Sequence, residues 1–201
     1  TWLTTPVIGA FMASLALTGV WMLAQHYIAT PRGLTRSIYP APGASGEALA
    51  EEETTAIDLD FLDNEVELPP MFSVRWDGYW FALEGQEITL YAHANSRVSV
   101  YLDAELVLRY DASIRQSPAS TTVTLAPGAH QLVVDYEPQG ENPAVSVQWT
   151  PTDAQLAPLP LHRLFTRELD RQDFYETQAV GWLGWVVFGA WLMLTALVMT
   201  A

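Results

Sequence analysis

The chain has 201 residues, with 23 acidic residues against 9 basic ones, a net charge of −14 and no Cys. All nine basic residues are Arg, so the surface is a poor match for nucleic-acid phosphates. The lack of Cys excludes disulfides, thiolate metal sites and thiol catalysis.

Residues 2–30 and 179–201 contain no Asp, Glu, Lys or Arg. A helix needs about 20 apolar residues to cross a bilayer core, and both stretches reach that length. The expected organisation is a transmembrane helix over 1–30 and a β-domain over 31–150. A linker and amphipathic helix follow over 151–178, and a second transmembrane helix over 179–201. The first stretch lacks a basic leader, and its apolar run exceeds the roughly 7–15 residues of a secretory signal. The chain begins without Met and is still apolar at its last residue, which fits a longer parent with more membrane helices.

In the first helix Ala10 and Ser14 lie four apart, a spacing that lets another helix approach closely. Trp2, Trp21 and Tyr27 are the expected interface anchors there, as are Trp182 and Trp185 in the second helix. Residues 40–53 are rich in Pro, Gly, Ala and Glu and read as a loop. Ile57, Leu59 and Phe61 alternate with Asp58 and Asp60, which reads as a half-buried strand.

From Phe72 onward the period of two dominates. Val74 and Trp76, then Val98 and Val100, then Leu132 and Val134, and finally Val147 mark the inward faces. About eight short strands with turn signals between them and no helical period imply an antiparallel β-sandwich. The fold class is therefore mainly β, a sandwich between two transmembrane α-helices. Past the linker, Leu161, Leu164, Phe165 and Leu169 follow helical spacing among Arg and Glu. That helix could lie on the membrane surface or dock on the β-domain or a partner.

The run Phe-Ser-Val-Arg-Trp-Asp-Gly-Tyr at 72–79 resembles a hallmark of the protective-antigen-type β-sandwich, the "PA fourteen" domain. Gly33-Leu34 with Ile38-Tyr39 is similar to its opening. Residues 98–103, ending in Asp103, are similar to its hydrophobic strand ending in Asp. Residues 125–136 and 145–149 are similar to its closing hairpin and last strand. The resemblance implies an extracytoplasmic module of the kind found in adhesins, glycosidases and glycan-related membrane proteins. In its lectin members an Asp pair builds a calcium site, but here Ala94-Asn95 occupies that place. Calcium wants several hard oxygens, so no such site is expected.

Candidate chemistry is sparse. Asp58, Asp60, Asp63, Glu65 and Glu67 form the densest acidic cluster, a set that could hold a hard cation, but Asp58 and Asp60 read better as the solvent face of a strand. None of the four His has a second His at ligand spacing, and no G-x-S-x-G elbow or phosphate loop occurs. No catalytic residue, cofactor or metal is expected. Tyr79, Trp80, Phe81, Phe165 and Phe174 are the candidate interaction surface, although packing into the sandwich is the competing account for the first three.

Arg32 and Arg36 follow the first helix, and Arg163, Arg167 and Arg171 precede the second. Taken alone they place the β-domain in the cytoplasm, but long translocated domains escape that rule. The resemblance implies the periplasmic or extracytoplasmic side of a bacterial-type inner or intracytoplasmic membrane. The expected function is a non-enzymatic membrane-anchored module that docks or stabilises a larger membrane-protein complex. Its partners would be integral membrane subunits and the lipid bilayer. The alternative is a glycan-binding or accessory domain of a polytopic glycosyltransferase.

Overall fold

The computed structural model describes residues 4–59, 68–114, 117–139, 143–151 and 155–200. The chain divides into two compact units. One comprises Thr1–Thr30 with Arg171–Ala201, and the other is Pro31–Asp170.

Among the described residues the second unit holds eleven strands in two antiparallel sheets, as the alternation predicts. They are β1 (Leu34–Tyr39), β2 (Ala50–Thr54), β3 (Ser73–Ala82), β4 (Gln86–Ala94), β5 (Arg97–Leu102) and β6 (Glu105–Asp111). After them come β7 (Ala119–Leu125), β8 (Gly128–Glu137), β9 (Val145–Pro151), β10 (Ala157–Pro158) and β11 (Leu164–Phe165). The larger sheet runs β2-β1-β3-β8-β5-β6, with β11 also paired to β3. The smaller runs β10-β9-β4-β7.

One hydrophobic core fills the space between them. Val74, Trp76, Val98, Val100, Leu132, Val134 and Val147 are all buried in it, from the faces the period of two assigns inward. Burial of these branched and aromatic side chains is the main stabilising term. Trp80 joins them and meets Trp149 of the facing sheet edge-on, with ring centroids 5.0 Å apart.

β1 and β11 lie end to end beside β3. β1 pairs with residues 73–77 and β11 with Tyr79 and Trp80. Gly78 sits at the junction, where a Cβ would come within 2.9 Å of the Phe165 carbonyl oxygen. The bare backbone there lets the two short strands meet. The first and last segments of the unit are thereby stitched together. Gly33 N–H donates to the Leu164 carbonyl at 3.0 Å, and Thr166 N–H to that of Pro31 at 3.3 Å.

Three elements differ from the sequence reading. The end of the stretch 40–53 expected as loop instead enters edge strand β2, Ala50–Thr54, against β1. Four of its five residues are exposed, so no buried face betrays it. Residues 57–59, expected as strand, are irregular, yet Ile57 and Leu59 pack against the core. Asp58 accepts a hydrogen bond from Arg36 at 3.0 Å, and Arg36 also pairs with Glu52. Asp60, Phe61, Asp63, Glu65 and Glu67 lie outside the described residues.

The third difference is the amphipathic helix. Leu161–Arg163 is a single 3-10 turn and Leu164–Phe165 is β11, and the long helix starts only at Arg171. Leu164, Phe165 and Leu169 are buried as their spacing suggests, but the first two lie in a short strand paired with β3 and Leu169 in irregular chain, none of them on a helical face.

Both turn residues of the β5–β6 hairpin, Asp103 and Ala104, have positive φ, at 50° and 65°. This is the two-residue hairpin turn that usually takes Asn-Gly. Asp103 compensates through its carboxylate. One oxygen accepts from Gln131 N–H at 2.9 Å, and the other lies 2.7 Å from His130 Nδ1. His130 Nε2 is 2.8 Å from the Ala126 carbonyl, so both ring nitrogens face acceptors. Only the imidazolium can donate to both. Burial lowers the His130 pKa, but the hydrogen bonds to Asp103 and Ala126 and the Asp103 charge outweigh it, and the net shift is upward.

A folded-state pKa above the unfolded one stabilises the fold while the ring is protonated. The contribution is complete below the unfolded value near 6.5 and is lost as pH rises through the folded value. The melting temperature is expected to fall as pH is raised across this window, and His130→Gln to flatten that slope. A wild-type slope that survives the substitution would remove this assignment.

Candidate interaction surfaces

The first unit is a pair of helices, α1 (Thr4–Tyr27) and α2 (Arg171–Thr200). Segments Val7–Tyr27 and Arg171–Met199 are each long and apolar enough to cross a membrane. At 1.5 Å per residue α2 spans about 45 Å, longer than a bilayer core of about 30 Å.

Exposure along each helix follows a heptad. In α2, Thr177, Val180, Val187 and Leu194 are buried and Gly184 and Trp191 half-buried, at alternating steps of three and four. In α1, Val7, Ala10, Ser14, Leu17, Trp21 and Ala24 repeat the same steps and, with Thr18, are the covered positions. Steps of three and four keep one seam facing a neighbouring helix. The contacts follow it. Trp191 Nε1–H donates to Thr18 Oγ1 at 3.0 Å, and Thr18 in turn donates to the Ser14 carbonyl at 2.8 Å. Phe11 meets the Trp191 ring edge-on. A Cβ on Gly184 would lie 3.1 Å from Trp21 Nε1, so the glycine makes room for the indole. Small and polar residues at such a seam let backbones approach where apolar burial gives no drive.

The expected anchors divide. Trp182 and Trp185 point away from the seam and are 72% and 70% exposed. Tyr27 is also exposed, stacked edge-on with His26. Trp21 is half-buried in the seam, against the space left by Gly184, so it serves helix packing. Trp2 lies outside the described residues.

Of the aromatic residues expected at an interaction surface, Trp80, Phe81, Phe165 and Phe174 are buried and present no surface. Trp80 belongs to the core, and Phe165 is covered where β11 meets β3. Tyr79 alone of the five is partly exposed. Strand alternation fixes which way a side chain faces but not what covers that face, so alternation could not separate covered aromatics from surface ones.

The loop that the resemblance aligns with a calcium site is a polar clasp here. Asn95 Oδ1 accepts from the Tyr136 hydroxyl and from Ala144 N–H, each at 2.8 Å. Asn95 N–H donates to the Ala144 carbonyl at 3.0 Å, and the Ser96 hydroxyl donates to the Glu137 carbonyl. Burial pushes the Tyr136 phenol up to about 12, so it stays a neutral donor. The amide oxygen is thus engaged in closing the end of the sandwich. Among the described residues no group of three or more His, Asp or Glu is placed to hold a metal ion.

No family model and no curated protein matches the chain. Solved structures do. An anti-sigma factor domain-containing protein is 23% identical with a TM-score of 0.59, over 69% of this chain and 49% of that one. A second, from Clostridium clariflavum, is 17% identical with a TM-score of 0.57, over 70% of this chain and 49% of that one. The PA14 sugar-binding domain from an RTX adhesin is 15% identical with a TM-score of 0.56, over 68% of this chain and 99% of that domain. The chain spans about half the length of the first two. At these identities the likeness shows the fold, and PA14 domains are among the structures that share it.

Proposed function

We propose that the chain is a non-catalytic module anchored in a membrane by α1 and α2, with its β unit on the extracytoplasmic side. In this reading it docks on or stabilises a larger membrane-protein assembly. The observation that carries it is the heptad-seamed pair of helices, each long and apolar enough to span a bilayer, on either side of one β-sandwich in the chain. A paired seam supports reading both helices as lying in one bilayer. Their remaining apolar faces, with Trp182 and Trp185, meet lipid or the helices of partner subunits. A methyl group added at Gly9 or Gly19 would meet no atom within 4 Å, which leaves space for a neighbouring helix.

A second reading is glycan binding, favoured by the likeness to the PA14 sugar-binding domain. The engagement of Asn95 inside the clasp weighs against a calcium-dependent form of it.

The test is labelling and co-purification. Ser117 is exposed on the β unit. In intact spheroplasts, Ser117→Cys should react with a membrane-impermeant thiol reagent, and the native chain should purify in mild detergent with integral membrane proteins at fixed stoichiometry. Labelling only after the cytoplasm is opened would place the β unit on the other side. Purification as a lone chain that is retained on immobilised glycans would favour the second reading.

A further inference from the structure

Three arginines of the β unit converge on the outer face of the larger sheet. Strand register puts Arg75 of β3, Asp135 of β8, Ser99 of β5 and Arg109 of β6 in one row across four strands. The next row carries Glu137, Arg97 and Asp111. Arg75 with Asp135 in the first row, and Arg97 with both carboxylates of the second, form ion pairs. Arg75 grips Asp135 with two bonds, of 2.7 and 2.8 Å. Arg97 holds Asp111 at 3.2 Å and Glu137 at 3.0 Å. The other oxygen of Asp111 takes both the amide and the hydroxyl of Ser113.

Arg109 is the exception. Among the described residues its hydrogen bonding is a single long contact, Nε to Ser99 Oγ at 3.4 Å. Its two terminal amino groups are left to solvent on an exposed side chain. Arg75, Arg97 and Arg109 line one cavity of about 240 Å³ with Asp135, Glu137 and Tyr101. Three guanidinium groups in that lining face two carboxylates, and both carboxylates, with Asp111 alongside, are taken by Arg75 and Arg97. Among the described residues Arg109 is the cation of this face left without a carboxylate, in a chain of net −14.

We propose that this cavity binds a small carboxylate-bearing molecule, gripped by the terminal amino groups of Arg109. A guanidinium fork matches the two coplanar oxygens of a carboxylate, and the paired Arg75 and Arg97 hold the surroundings in place. Tyr101 also lines the cavity, and adds an aromatic side chain to its wall. The volume equals about eight waters, which suits a molecule the size of one sugar acid or amino acid rather than a chain. The site is independent of the membrane reading above.

Isothermal titration of the full chain in detergent tests it, with galacturonate, glutamate and succinate as probes. Galactose serves as the ring without a carboxylate, and sulfate as an anion of different shape. At least one carboxylate should bind saturably while galactose does not, and galacturonate against the other two separates a sugar acid from other sources. Arg109→Met should weaken that binding at least tenfold and leave the melting temperature unchanged, because the side chain is exposed and Arg75 and Arg97 keep their partners. No saturable binding by any of the three carboxylates would overturn the proposal. So would equal binding of sulfate, undiminished binding to Arg109→Met, or tighter Arg109-dependent binding of a hexaglutamate peptide, which would make the face a protein-docking surface.

Discussion

Trp80→Ala is expected to cost the β unit about 3–5 kcal/mol, the range for emptying a buried indole site. Trp80 is fully buried, pairs across β3 with Leu164 of β11 and His130 of β8, and stacks edge-on against Trp149 of the opposite sheet. It touches both layers and the strand that closes the unit, so the surrounding structure can collapse little to fill the cavity. For a chain of this size the melting temperature should fall by roughly 2–4 °C per kcal/mol. Trp80→Phe should lose far less. It keeps a ring in the site, and among the described residues the buried Trp80 Nε1–H has no hydrogen-bond partner, so nothing polar is sacrificed. Thermal denaturation of the full chain in detergent, read by near-ultraviolet circular dichroism, gives both values. A loss under about 1 kcal/mol for the alanine variant would mean that the sandwich does not depend on this contact.

Gly33→Ala should be nearly as damaging, although it adds only one methyl group. Gly33 has φ of +124°, and a Cβ there would lie 2.3 Å from the Thr54 carbonyl oxygen of β2. The residue would face both a backbone conformation that side chains rarely adopt and a backbone atom that cannot swing aside. Together these should cost about 2–4 kcal/mol. Gly43→Ala separates the two effects. Its φ is +71°, but a Cβ there meets nothing within 4 Å, so strain alone applies. That variant should lose about 1 kcal/mol. Equal losses at the two positions would show that the approach of β2 contributes nothing.

What the sequence discloses depends on whether a face is buried by a regular element. Val74, Trp76, Val98 and Val134 alternate because one side of each strand is core, and that pattern survives in the bare sequence. β2 has no such side, since it is an edge strand of mostly exposed residues held by backbone pairing and by Glu52 on Arg36. β11 is two residues long, too short to show any period. Its buried Leu164 and Phe165, followed by Leu169, imitate helical spacing by accident of where the chain tucks in.

The sites were less legible than the core. The helix seam is hidden because apolar residues lie on every side of both helices between residues 7–24 and 179–199, so three-and-four spacing stands out only once exposure is known. The outer-face cavity could not be read from the sequence, because Arg75, Ser99, Arg109 and Asp135 become neighbours only through the register of four strands.

The hydrogen bonds from Gly33 to Leu164 and from Thr166 to Pro31 have a consequence for how such a protein is assembled. The polypeptide enters and leaves the sandwich through a single doorway. A domain whose ends already touch can be spliced into an existing connection, or excised from it, without asking the flanking segments to move apart. None of the helix seam residues Ser14, Thr18, Gly184 and Trp191 belongs to the sandwich, so exchanging the sandwich would leave that seam's own side chains unaltered.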